Sequence, residues 1–168
     1  LYAALEAGLQ RLAEQPALAP FARPALRREA ALAADLRVVH GERWRDELAL
    51  TPSMTDYVEH LRRLSQAADR RLVAHAYVRY LGDLSGGQRL RALVARALAL
   101  PPGQGVAFHD FGGAAEGAAL ARALREALDA LGAGDDVVDE ACAAFGRHAV
   151  LFAELAELAD LDAAADAA

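Results

Sequence analysis

Between Tyr80 and Gln88 the chain reads Tyr-Leu-Gly-Asp-Leu-Ser-Gly-Gly-Gln, with glycines at 82, 86 and 87. Inside a helix each glycine costs roughly 1 kcal/mol relative to alanine. An alanine-rich chain has cheaper choices, so backbone needs to be exposed here. Gly82 and Gly86 are four apart and share one helix face, where a flat ligand or a second helix can touch the backbone directly. Glycine pairs also let a helix kink. By spacing alone, close helix packing is the commoner use of such a strip. Asp83 stands inside it, with Arg79 one turn earlier, an i, i+4 pair worth only a few tenths of a kcal/mol on a solvated face.

The elements that position this segment are helices. Composition says so first: 43 Ala and 27 Leu dominate 168 residues, and only 6% are aromatic, which makes an all-β architecture untenable. The length suits one domain that buries about 70% of its extended surface. Leu1, Leu5, Leu9 and Leu12 mark a helix over residues 1–14. Pro16, Pro20 and Pro24 break it, and a second helix is expected over 24–40, with Leu26, Ala30, Ala33 and Val38 on or near one side and Gly41 as its stop. A short turn surrounds Trp44. Thr51-Pro52 signals a helix start, followed by Met54, Tyr57, Leu61 and Leu64 at helical spacing. A long pattern from about Asp69 to Leu100 carries the glycines, and Pro101-Pro102-Gly103 ends it. Helices at about 114–131 and 135–159 complete an all-α domain of about seven helices over residues 1–159. The Ala/Asp-rich tail, 160–168, is expected to fray.

Charge and cysteine narrow the function classes. The net charge is -6, and every one of the 18 basic residues is Arg, so a broad nucleic-acid surface is not expected. The lone Cys142 permits no internal disulfide and suits a reducing, cytoplasmic setting. No apolar run reaches the ~18–20 residues of a bilayer span. With no Lys, no P-loop can be built.

That last point bears on one resemblance. Leu84-Ser-Gly-Gly-Gln88, with Arg89, Arg91 and Arg96 after it, resembles the signature motif of ABC-type ATPases. The strand that should follow, Val106-Ala-Phe-His-Asp110-Phe111, lacks the glutamate, and the parallel sheet is missing. A second resemblance is far longer. Val73-Ala-His-Ala-Tyr-Val-Arg-Tyr-Leu-Gly-Asp-Leu-Ser-Gly-Gly-Gln88 is similar to the distal-helix signature of the biliverdin-producing heme oxygenases. Ordered matches extend upstream through Arg28–Leu36, Gly41-Glu-Arg-Trp44 and Thr51–Val58, and downstream through Phe108, Phe111, Phe145 and Leu151–Leu155.

The resemblance implies a heme-oxygenase-like helical bundle with a kinked glycine-rich helix over the heme. It implies oxidative cleavage of heme, both substrate and cofactor, by dioxygen to biliverdin, ferrous iron and carbon monoxide. Electrons would come from an external donor such as ferredoxin or a flavodoxin and its reductase, because no flavin or nicotinamide fingerprint is present. The expected protein is a monomer. Asp83 and Tyr2 match the catalytic carboxylate and tyrosine that organise distal water. Gly82 and Gly86 match the backbone over the heme face. Arg79 and Leu90 match pocket-lining positions, Phe145 and Phe152 match aromatics against the macrocycle, and His148, one turn from each, lines the pocket.

Arg125 matches a basic residue that pairs with a propionate; the second such position falls at Ala121, with Arg122 beside it. The axial histidine is expected before Leu1, on a proximal helix, because His40, His60, His75, His109 and His148 all fall at non-ligand positions. His75 is expected to be hydrogen-bonded near the surface. A non-catalytic heme-binding or sensor protein of the same fold is the alternative, and an ABC-type nucleotide module is the remote one.

Overall fold

The computed structural model describes residues 1–166. Among these, seven α-helices and three short 3₁₀ turns are joined by loops, with no strand. The helices are α1 (Tyr2–Leu12), α2 (Glu29–His40), α3 (Trp44–Glu47), α4 (Pro52–Gln66), α5 (Leu72–Ala97), α6 (Ala114–Leu131) and α7 (Asp135–Asp166). The ABC-type alternative ends here, since Leu84–Gln88 lies inside α5 and no sheet accompanies it.

Local chemistry explains most boundaries. Thr51 caps α4, its side chain accepting from the Met54 N–H, with Pro52 at the first helical position. Gly132 closes α6 in the left-handed region that glycine adopts without strain. α5 runs unbroken through all three glycines. The expected helix over 24–40 is corrected: Pro24–Leu26 is a 3₁₀ turn, Arg27 is extended, and the α-helix begins at Glu29. The reason is tertiary. The Glu6 carboxylate on α1 accepts the backbone N–H groups of Arg28 (2.6 Å) and Glu29 (3.0 Å), capping α2 from another helix. Ala30 and Val38 consequently face solvent, while Leu26 and Ala33 are buried. At the other end of the chain α7 continues helical to Asp166, beyond the expected 159, and residues 167–168 of the proposed frayed tail lie outside the described residues.

α5 is the axis of the molecule. It packs against α6 and α7 and touches α1, which in turn lies along α4. Leu5, Leu9 and Leu12 of α1 meet Tyr57 and Leu61 of α4 and Leu72, Val73 and Tyr80 of α5 in one continuous core. Gly8 sits where α1 crosses α4 and α5: an added Cβ would lie 3.0 Å from the Ser65 Cβ and 2.6 Å from the Leu72 Cδ2.

The loop between α5 and α6 folds back onto this core. Asp35 of α2 is buried and accepts two consecutive backbone N–H groups, from Ala107 at 2.8 Å and Phe108 at 2.7 Å. That clamp presses the Phe108 ring edge-on against Tyr2, centroids 5.2 Å apart. Asp35→Ala leaves both donors unpaired. It is expected to cost about 2–3 kcal/mol of stability, read as a lower urea midpoint at unchanged slope.

Candidate functional site

Tyr2, Arg79 and Asp83 come together although 81 residues of chain separate the first from the last. Arg79 and Asp83 are one turn apart on α5, and α1 delivers Tyr2 between them. The Tyr2 hydroxyl donates to Asp83 Oδ2 at 2.5 Å and accepts from Arg79 Nη2 at 2.6 Å and Nε at 3.0 Å. The direct ion pair is longer, 3.8 Å, and both side chains are largely buried, so a solvated surface pair is not what is found. Burial is the largest influence on Asp83 and holds its carboxyl above the usual aspartate range, against the opposing pull of Arg79 and of the Tyr2 hydrogen bond. Burial likewise pushes the Tyr2 phenol up.

Asp83 also lines a cavity of about 320 Å³ between α5, α6 and the α5–α6 loop, walled by His109, Phe111, Gly117, Ala121 and Arg125. Arg125 is exposed at this cavity. Arg122 is exposed. His109 faces the cavity with a buried Nδ1 that has no hydrogen-bond partner among the described residues; the sequence reading had no place for it. Arg28, also missed, is buried beneath the loop and donates to the carbonyls of Phe108 and Asp110.

The glycines separate into two kinds. A Cβ at Gly82 would meet nothing within 4 Å, and at Gly86 only Leu90 Cδ1 of the next turn, 3.7 Å away. Gly87 is different: it is buried, with the His109 carbonyl 3.3 Å from its would-be Cβ. Close packing therefore accounts for Gly87 and not for Gly82 or Gly86, which leave an open backbone strip continued by the exposed Leu90.

On α7, Phe145 and Phe152 are 60% and 64% exposed, so neither is core. Phe145 borders an apolar groove of about 260 Å³ with Tyr77, Leu128 and Val137. His148 is buried edge-on to Tyr57, its Nδ1–H donating to the Ala144 carbonyl and its Nε2 without a partner among the described residues; burial lowers its basicity.

His75 corrects the expectation most sharply. It is fully buried rather than near the surface, with Nδ1 2.9 Å from the Tyr57 hydroxyl and Nε2 2.9 Å from Glu140 Oε1. Burial depresses its basicity, so it is neutral, Nε2–H donating to Glu140 and Nδ1 accepting from Tyr57.

The molecule is thus a helical bundle with an open glycine strip on one helix, beside a largely buried carboxylate held by a tyrosine and an arginine. Comparison with known proteins gives the family. A family model described as Heme oxygenase matches residues 1–154. Heme oxygenase 1 of Nostoc is 37% identical over 159 residues, which cover 92% of this chain and 67% of that protein. Human heme oxygenase 1 is 40% identical over 164 residues, 94% of this chain and 57% of the human protein. Among solved structures, heme oxygenase-2 from Synechocystis, in complex with heme and NO, superposes with a TM-score of 0.86 at 32% identity, covering 94% of this chain and 67% of that one. The heme oxygenase from Leptospira interrogans gives 0.82 at 35% identity, covering 91% and 77%. The chain belongs to the heme oxygenase family.

The hydrogen bond from Tyr2 favours the ionised form of Asp83, so Tyr2→Phe is expected to raise the Asp83 midpoint further. A carbon-13 NMR titration of the carboxyl measures it. The sign for stability follows. A carboxyl whose folded pKa lies above its unfolded one favours the fold fully below the ordinary aspartate range, and that contribution is lost as pH rises through the raised value. Asp83→Asn should remove this slope from the pH dependence of stability.

Proposed function

We propose that the protein containing this chain cleaves heme oxidatively, with dioxygen and external electrons, to biliverdin, ferrous iron and carbon monoxide. One observation carries the reading most: nothing packs on Gly82 and only Leu90 of the same helix approaches Gly86, next to a largely buried carboxylate. A porphyrin laid on the strip would occupy the volume a Cβ forbids. When bound, heme supplies the iron at which dioxygen is activated.

The chain's own residues do the rest. Gly82 and Gly86 admit the ring and its iron-bound ligand. Asp83, held by Tyr2 and Arg79, keeps one carboxylate edge toward the cavity, where it orders water and relays protons. The unpaired ring nitrogen of His109, which lines the same cavity, is suited to hydrogen-bond that water. Arg125 reaches a propionate, Phe145, Phe152 and Leu90 border the macrocycle, and Arg79 fixes Asp83 rather than touching substrate. His40 pairs with Glu47, and His60 and His75 share Glu140, so these three are committed elsewhere. A soluble ferredoxin- or flavodoxin-type donor and a monomeric state complete the reading. No helix of the described residues is long and apolar enough to cross a membrane.

Gly82→Ala separates folding from function. It should stabilise α5 by about 0.5–1 kcal/mol, since alanine is the better helix former and meets no neighbour, while hemin binding and biliverdin yield fall. Asp83→Ala should keep hemin affinity and lower single-turnover biliverdin formation by about 10²-fold or more. Hemin titration, and turnover with ascorbate or ferredoxin in the natural-length protein, measure both. Normal biliverdin yield from both variants would defeat the proposal.

A further inference from the structure

His60 on α4, His75 on α5 and Glu140 on α7 converge far from any role assigned above. His60 Nε2 lies 2.6 Å and His75 Nε2 2.9 Å from the same oxygen, Glu140 Oε1. All three ligand-type atoms fall within 4.8 Å of one another. His75 precedes Asp83 by eight residues, about 12 Å of helix rise, so the cluster and the Asp83 site are separate places on one helix.

We propose that these three side chains form a binding site for a borderline divalent cation of the zinc class, which ties α4, α5 and α7 together. Two imidazoles and one carboxylate are a donor set that such ions favour, with one position left for water. The supporting groups are in place as well. Tyr57 stands 2.9 Å from His75 Nδ1. When Nε2 gives its lone pair to a metal, the ring proton sits on Nδ1, and Nδ1–H donates a hydrogen bond to the Tyr57 oxygen, which orients the ring. Arg71 Nη1 lies 3.7 Å from Glu140 Oε2, the other carboxylate oxygen, and leaves Oε1 for the ion.

Bond lengths of about 2.0–2.2 Å require the ligand atoms to draw slightly together. His60 is the member able to move, because it is partly exposed while His75 and Glu140 are buried. It also gives the cation its way in.

The test is a titration of the metal-free chain with Co²⁺, then Zn²⁺. One equivalent of Co²⁺ should give the visible band of a four-coordinate ion, and one equivalent of Zn²⁺ should displace it and raise the melting temperature by several degrees. His60→Gln and Glu140→Gln should each weaken binding by about tenfold or more, while His40→Gln, on the separate pair with Glu47, leaves it unchanged. If no saturable one-equivalent spectrum forms, or His60→Gln binds like the parent, the cluster is a hydrogen-bonded helix junction and the proposal is wrong. Because His60 is partly exposed, His60→Gln decides the matter even if Glu140→Gln does not fold.

Discussion

The Tyr2 hydroxyl is the atom on which the site depends. It accepts from Arg79 and donates to Asp83, so a neutral group separates two charges that would otherwise meet directly. An ionised carboxylate with little solvent is costly unless its lone pairs are satisfied. The tyrosine satisfies one oxygen without neutralising the group, and the residue still lines the cavity. α1 must dock on α5 for this to happen, and Phe108, held through Asp35, keeps the ring from turning away. The geometry of this cluster is therefore a product of the whole core rather than of the glycine helix alone.

How much of this was legible depended on whether the signal was local. Thr51-Pro52 announced α4, and α6 begins and ends where its glycines place it, because caps and left-handed stops act within a few residues. Asp83 and Arg79 stand in the motif and Tyr2 was matched through the wider resemblance; the structure brings the three into contact. The start of α2 was misplaced because its cap, Glu6, is supplied by another helix, and nothing between Pro24 and Glu29 records that. Gly82 and Gly87 look alike on paper. Only the neighbours show that one is bare and the other lies under the His109 carbonyl.

His75 shows a different failure. Residues from Leu72 to Ala76 are all buried, so α5 is covered on every side where it passes through the middle of the bundle. Periodicity, which reads one wet face against one dry face, has nothing to report there. Its partners His60 and Glu140 lie on α4 and α7, and no spacing along the chain links the three. Phe145 and Phe152 show the opposite limit: their spacing along α7 equally fits core residues, and only the neighbours show that both are exposed.

Arg28 carries one further consequence. Among the described residues its buried guanidinium has no carboxylate partner at ion-pair distance. It donates instead to the carbonyls of Ala25, Arg27, Phe108 and Asp110, and lies 3.9 Å from the Phe111 ring centroid. Such a fan of donors suits a planar fork and not the point charge of a lysine. Fixed carbonyl dipoles at contact distance are also beyond the reach of mobile counterions, whereas exposed pairs such as Arg43–Glu47 and Arg70–Asp136 lie open to them. Rising ionic strength should loosen the periphery of this molecule and leave the joint beneath the α5–α6 loop as it was.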